Sequence, residues 1–272
     1  FLKKGKGIIK FLPRISPGDQ SFGKDLLQKS RAVRRYMADE YRKVVEEAET
    51  PRYFRERLIK NFVYKGPVLE WYIRLKIRME NDYRLFHEKL PKSGHITDLG
   101  CGYGFMDFML MFTSEGRTIT GVDYDEEKIL VATSCAAKND RLEFVAADVK
   151  AVELKESDAF VISDVLHYMP ESEQEKLIRR CAGRLRPGGI LMIRDADREM
   201  EQGHRRTRLS EFFSTRIGFN RTLTEDKRLY FNSGKKIRAI LEDLGMQVEM
   251  IKEVRRTSNI IFVARMKEGA TE

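Results

Sequence analysis

The feature that constrains this chain most is the run Asp98-Leu99-Gly100-Cys101-Gly102-Tyr103-Gly104, a loop with glycine at every second place. An extended apolar approach over residues 95–99 runs into it, and helix-compatible residues 105–112 follow. That order is strand, tight turn, helix N-terminus. Glycines permit positive φ and let a ligand approach the backbone without meeting a Cβ. The opening helix presents unpaired N–H groups and partial positive charge to an anion above it. A dinucleotide fingerprint would need glycine at 105, where the chain has Phe105. No G-x-x-x-x-G-K-[ST] occurs, which excludes a P-loop.

Beyond the loop, strand-like and helix-like stretches alternate, the pattern of a parallel sheet with both faces covered. Apolar runs lie at 118–122, 142–145, 159–162 and 190–194, with helical patterns over 126–138 and 171–185. A last helix over 235–244 precedes two strands over 247–254 and 260–265, expected as an antiparallel pair. Ligands of open α/β sheets bind at the carboxyl ends of the strands, near the topological switch point. Each of the first four strands ends on an acid: Asp98, Asp123, Asp148 and Asp164. Taken singly, such an Asp is an ordinary helix N-cap. Four in register with a glycine loop favour a ligand site.

The Asp-x-Gly-x-Gly-x-Gly run resembles motif I of the class I S-adenosylmethionine-dependent methyltransferases. The later strand ends and the turn Leu185-Arg186-Pro187-Gly188-Gly189 follow that family's order over about residues 90–266. The resemblance implies a Rossmann-like α/β fold: a seven-stranded, mostly parallel sheet with the last strand antiparallel, under an N-terminal helical cap. It implies S-adenosyl-L-methionine as cofactor and S-adenosyl-L-homocysteine as product. Asp98, Gly100, Cys101, Gly102 and Gly104 would then shape the methionine end of the site. Asp123 would accept from the ribose diol with Tyr124 against the adenine, and Asp148 from the adenine amino group with the Val149 N–H on a ring nitrogen. Ser163 and the loop Asp164 to Tyr168 would border the reacting centre, with His167 the candidate general base and Asp164 and Tyr168 as its catalytic neighbours. A capping or core histidine is the other reading of His167. Methyl transfer from a sulfonium needs in-line positioning, and a base only where the acceptor must lose a proton. Exocyclic-amine methyltransferases of bases carry Asp/Asn-Pro-Pro-Tyr/Phe after the fourth strand. This chain has Ser163-Asp164-Val165-Leu166, which argues against that chemistry.

Three widely spaced cysteines, Cys101, Cys135 and Cys181, form no C-x-x-C pair, which fits a reducing compartment and gives no metal site. No apolar run approaches the roughly 20 residues that span a bilayer. The charge is uneven. Residues 1–90 hold 22 Lys and Arg against 12 Asp and Glu, and the remainder 29 against 30, so all the excess positive charge lies in the N-terminal third. A solvated helical face, a membrane surface, an acidic protein and nucleic acid all suit that balance.

Helices are expected over 30–49 and 51–61, then a single cap helix over 68–90. Domain organisation is expected as a basic, partly helical segment 1–60 and a methyltransferase domain 61–272 with a lid insert at 196–233. The insert carries His204, Arg205, Arg206 and Arg208, then Phe212, Phe213, Phe219, Tyr230 and Phe231. Rings among basic residues suit an aromatic or lipid-like acceptor with an anionic handle, or one tethered to an acidic carrier. Phe11-Leu12-Pro13-Arg14-Ile15-Ser16-Pro17, Phe22-Gly23-Lys24 and the helical stretch 26–41 resemble the closing segment of bacterial glycerolipid acyltransferases, whose His-x-x-x-x-Asp is absent here. The two resemblances together imply the last module of a bacterial transporter, acyltransferase and methyltransferase fusion, cytoplasmic at the inner face of the membrane. Its basic third would face anionic lipid or an acyl carrier protein, and its acceptor would be a small or carrier-bound molecule. Nucleic acid is not the expected partner, since no RNA-binding module is recognisable. The alternatives are an RNA methyltransferase using the basic helices and a cofactor-binding module without turnover.

Overall fold

A computed structural model describes residues 9–79, 82–196, 229–252 and 259–266. The chain divides into two compact units, residues 1–53 and 54–272. The first holds an extended segment, a 3-10 turn at Gln20–Phe22 and helix α1 (Leu26–Ala48), whose N-terminus Asp25 caps by accepting the Gln28 N–H at 2.8 Å. Lys10 pairs with Glu40 at 2.9 Å, Lys29 Nζ donates to the Pro17 carbonyl and Phe22 meets Tyr36 edge-on, which holds the segment along the helix. No residue of α1 is fully buried.

The division falls at Tyr53/Phe54, inside α2 (Pro51–Phe62), and not at the expected 60/61, because Phe54, Leu58 and Ile59 are buried in the core of the second unit. After a 3-10 turn at Val63–Lys65 come α3 (Pro67–Met79) and α4 (Asp82–Lys89), two helices where one cap helix over 68–90 is expected. The apolar row Leu69, Ile73, Ile77 would continue through Arg84 and Glu88, which are exposed. The buried residues of α4 are Asp82, Tyr83 and Phe86, out of phase with that row, so one straight helix cannot bury both sets.

The sheet has seven strands: β1 (Ser93–Leu99), β2 (Gly116–Asp123), β3 (Leu142–Ala146), β4 (Ser157–Ser163), β5 (Leu185–Ala196), β6 (Gln247–Lys252) and β7 (Asn259–Arg265). Their order is β3-β2-β1-β4-β5-β7-β6. Pairing is parallel from β3 through β5, and β7 runs antiparallel to both neighbours, as expected. Strand order reverses between β1 and β4, so the switch point lies at the end of β1. β5 begins at Leu185 and not at 190: Leu185 pairs with Ser157, the register shifts, and Ile190 then pairs with Ala159.

Alternation along the strands sends side chains to two cores. Ile96, Ile119, Val161, Met192 and Val263 pack with α2 to α5, whereas Leu99, Val122, Phe160, Ile162, Leu191 and Phe262 pack with α7 (Glu171–Ala182) and α8 (Gly234–Asp243). Helix α5 (Phe105–Phe112) buries every residue except Met106, the signature of a helix with no solvent face. α6 (Glu126–Thr133) packs on β2 and β3 and stops short of the expected residue 138. Among the described residues no helix is long and apolar enough to cross a membrane, and no cluster of metal-ligating side chains occurs.

Candidate active site

The glycine loop is built by backbone hydrogen bonds to the neighbouring strand. The Gly100 and Cys101 N–H groups donate to the Val122 carbonyl at 2.7 and 3.0 Å, folding the loop over the end of β2. The Asp123 carboxylate accepts from the Gly102 N–H at 2.8 Å and the Asp125 N–H at 2.9 Å, so two loops fix it in place. Gly100, at φ 86°, is where a side chain cannot go. A Cβ there would stand 2.1 Å from Val165 Cγ2, because the loop after β4 presses on the glycine loop at the switch point. Above Gly102 (φ 57°) the situation is opposite: nothing lies within 4 Å of its Cβ position, and the space over the loop is open.

Helix α5 starts from Gly104 in the left-handed conformation, and no side chain caps it. The neighbouring α6 shows the contrast, since Asp125 accepts from the Glu127 and Lys128 N–H groups. An uncapped helix N-terminus beside an open, glycine-floored space is a ready anion site. From the cap, Tyr72 of α3 meets Tyr103 with ring centroids 6.4 Å apart, and Lys76 reaches close enough to Asp98 to favour its ionised form.

A second cluster lies at the carboxyl ends of β4 and β5. β4 ends at Ser163, and Asp164 follows at φ 57°, the one described residue other than glycine with positive φ. A 3-10 turn at Leu166–Tyr168 then places His167 inward. Its Nδ1 lies 2.6 Å from Asp195 Oδ1, and its backbone N–H donates to Asp195 Oδ2 at 3.1 Å. Both residues are buried, and the imidazole sits between the rings of Tyr168 (4.2 Å) and Phe231 (5.4 Å, stacked). Arg194, one residue before Asp195, pairs with Asp82 of α4 at 2.7 Å and also with Asp164.

Residues 96–189 match the family described as a methyltransferase domain. The chain is 30% identical over 149 residues to a trans-aconitate 2-methyltransferase of Paracidovorax citrulli, covering 51% of this chain and 55% of that one. It is 26% identical over 113 residues to a ubiquinone biosynthesis O-methyltransferase of Coxiella burnetii, covering 40% and 47%. The structure of an O-methyltransferase family protein from Burkholderia thailandensis superposes with a TM-score of 0.53 at 20% identity, over 69% of this chain and 58% of that one, a likeness of fold. Over residues 96–189, which hold the glycine loop and the ends of the first four strands, the chain is thus similar to a methyltransferase domain. It spans about half the length of the curated relatives it matches.

Within the matched residues, buried acids are concentrated beneath the glycine loop. Burial, then Asp123, pushes Asp98 up to about 7 against the pull of Lys76. Burial and then Asp98 push Asp107, in the first turn of α5, well above the usual carboxylate range. The two carboxyls also hydrogen-bond each other, which favours the proton on Asp107 and the ionised form of Asp98. The Cys101 thiol is held well up by burial and by the same acids, so it stays protonated.

The domain brings Asp98, Cys101, Gly102 and Asp123 together, with Tyr124 half-buried beside them. Asp148 ends the third strand region as a turn cap, accepting the Lys150 N–H at 2.9 Å with Lys150 Nζ at 3.4 Å, and Val149 packs into the second core. The carboxylate of Asp164 faces Arg194, whereas the imidazole of His167 faces Asp195. Asp195, the partner of His167, is the candidate site residue that sequence reasoning missed. An acid closing the fifth apolar run is the same signal that marks the first four strands. Asp107, Lys76 and Arg194 carry no such mark. Of the expected insert, residues 197–228 lie outside the described residues, including His204, the three arginines and Phe212, Phe213 and Phe219.

Proposed function

We propose that this protein is an S-adenosylmethionine-dependent methyltransferase acting on the oxygen of a small, aromatic or lipid-like acceptor, free or carrier-tethered. The observation that carries the choice of oxygen is the His167–Asp195 pair. The cofactor fits the residues present: the uncapped α5 N-terminus suits its carboxylate, the open space above Gly102 admits it, and fixed Asp123 retains lone pairs for a diol. When bound, it supplies a methyl group already activated on sulfonium.

The chain's own part is positioning and proton transfer. Asp195 accepts from Nδ1–H of His167, which fixes the tautomer and leaves Nε2 as the basic nitrogen. That nitrogen takes the proton of an acceptor hydroxyl as the oxygen attacks in line, and Asp195 stabilises the imidazolium so formed. Tyr168 and Phe231 keep the imidazole dry and in place. A base of this kind is superfluous for an acceptor that has no proton to lose, such as a carboxylate, whereas a hydroxyl must give one up. The name of the ubiquinone-biosynthesis relative is in keeping with an oxygen acceptor.

Calorimetry with S-adenosylmethionine and S-adenosylhomocysteine tests the cofactor site. Micromolar binding should weaken about 10- to 100-fold in Asp123→Ala, the loss of hydrogen bonds to a charged group. Failure of the intact chain to bind either compound would overturn the assignment. A labelled methyl donor with a panel of phenolic acceptors tests the base. His167→Gln should lower turnover about 10²- to 10⁴-fold while cofactor affinity holds, and a variant as active as the parent would remove the histidine from the mechanism.

A further inference from the structure

Helix α1 separates its charges by face. At about 100° per residue, one half of its circumference carries Leu26, Leu27, Met37, Tyr41, Val44 and Ala48 together with Arg31, Arg34, Arg35 and Arg42. That half holds no acid. Asp39, Glu40, Glu46 and Glu47 all lie on the other half, where the extended segment packs. The apolar members of the first half are turned outward: Leu26 is 85% exposed, Tyr41 69% and Met37 57%. Toward the helix C-terminus the row continues into a shallow cleft formed by Val44 and Ala48 with Ile9, itself 82% exposed. Among the described residues, Arg31, Arg34 and Arg35 make no ion pair, whereas Arg42 pairs with Asp39.

A row of large apolar side chains bordered by unpaired guanidinium groups is complementary to one surface above others: an apolar layer faced with phosphate. The apolar residues follow one another along a 23-residue helix. Long arginine arms reach sideways from such a row to phosphates while the row itself sinks among acyl chains. We infer that α1 lies in the surface of an anionic phospholipid membrane, with Leu26, Met37 and Tyr41 inserted and Arg31, Arg34 and Arg35 on the lipid phosphates. The inference does not depend on the methyltransferase reading, because none of these residues belongs to the cofactor or acceptor site.

Vesicle co-sedimentation of the 272-residue chain tests it. Vesicles of phosphatidylcholine with about one-third phosphatidylglycerol should bind the chain at least about tenfold more strongly than phosphatidylcholine alone. That preference should fall as ionic strength rises. The triple variant Leu26→Ser/Met37→Ser/Tyr41→Ser should lose about tenfold or more, and Arg31→Gln/Arg34→Gln/Arg35→Gln should abolish the lipid preference. Circular dichroism and calorimetry with S-adenosylhomocysteine should show both variants folded and unchanged in cofactor affinity. Equal binding to both vesicle types, or anionic binding that survives the serine variant, would overturn the assignment. So would a parent chain whose self-association, measured by light scattering, disappears in the serine variant, since a second copy would then be the occupant.

Discussion

At the amino end of the sheet, Arg117 of β2 is fully buried with no carboxylate beside it, yet its guanidinium is almost saturated. It donates to the carbonyls of Pro91, Leu110, His87 and Leu90 and to Thr113 Oγ1, at 2.7 to 3.4 Å. Four of those acceptors lie in or just after the last turns of α4 and α5, so one cation closes two helix C-termini. Burial lowers Arg117 only to about 10, which leaves it charged at neutral pH; burial, then the charges of Lys92 and Arg117, lowers His87 to about 4, which leaves that ring neutral. At the carboxyl end the position is reversed. Asp98 and Asp107 are as deeply buried, but each has chiefly another acid against it, and the helix that carries Asp107 has no side-chain cap. Charge at one end is satisfied by the chain itself. At the other, two acids are crowded together beneath a helix N-terminus that no side chain caps. The difference separates a structural pin from a binding site where burial alone does not.

Breaking the pin should have the largest effect. Arg117→Met takes the guanidinium from three carbonyls and a hydroxyl at two helix ends and from the Pro91 carbonyl, and a loss of about 3–5 kcal/mol is expected in denaturant unfolding. A loss under about 1 kcal/mol would mean that water replaces the guanidinium. Next comes Gly100→Ala, which combines a positive φ with a collision against Val165; about 2–4 kcal/mol of stability and measurable cofactor affinity should go together. Affinity retained at the parent level would show that the loop after β4 yields freely. The smallest effect, at low pH, belongs to Asp107→Asn, whose amide can still donate to Asp98. It should be near neutral below about pH 4, where folded and unfolded parent chains both hold the proton, and increasingly stabilising above it. Because burial raises the Asp98 and Asp107 carboxyls in the folded state, the native chain keeps protons that the unfolded chain has released from about pH 4 upward. Their contribution therefore falls as pH rises through about 7. Thermal unfolding should show the parent losing more stability between pH 5 and 8 than the asparagine variant. Equal losses would take Asp107 out of the titration.

The satisfied end of the sheet was almost illegible in the sequence, and the unsatisfied end was largely written there. Asp98 and the alternate glycines announce a turn because their backbone demands are local. The strand-end acids follow one rule, and applying it once more at Asp195 would have found the partner of His167. Arg117 reads as an ordinary charge near a strand start, since its partners come from residues 87–113 only after folding. The split of the cap into α3 and α4 was hidden for a similar reason. The phase slip between Ile77 and Tyr83 is visible in the apolar spacing, but the inward turn of Asp82 depends on Arg194, more than a hundred residues later.

One conformation sets what substitution can do at a single position. Asp164 holds φ 57°, where side chains branched at Cβ are strained, and its carboxylate takes a guanidinium that also holds α4. The tolerance of that site is thus narrow in shape and wider in charge. Among all replacements, asparagine keeps both the backbone preference and an oxygen for Arg194, whereas glycine keeps only the first. Glutamate, closer in chemistry than either, keeps neither the short reach nor the ease of the left-handed turn. Similarity at position 164 is measured by backbone geometry, and a pool of variants selected for folding would rank them in that order.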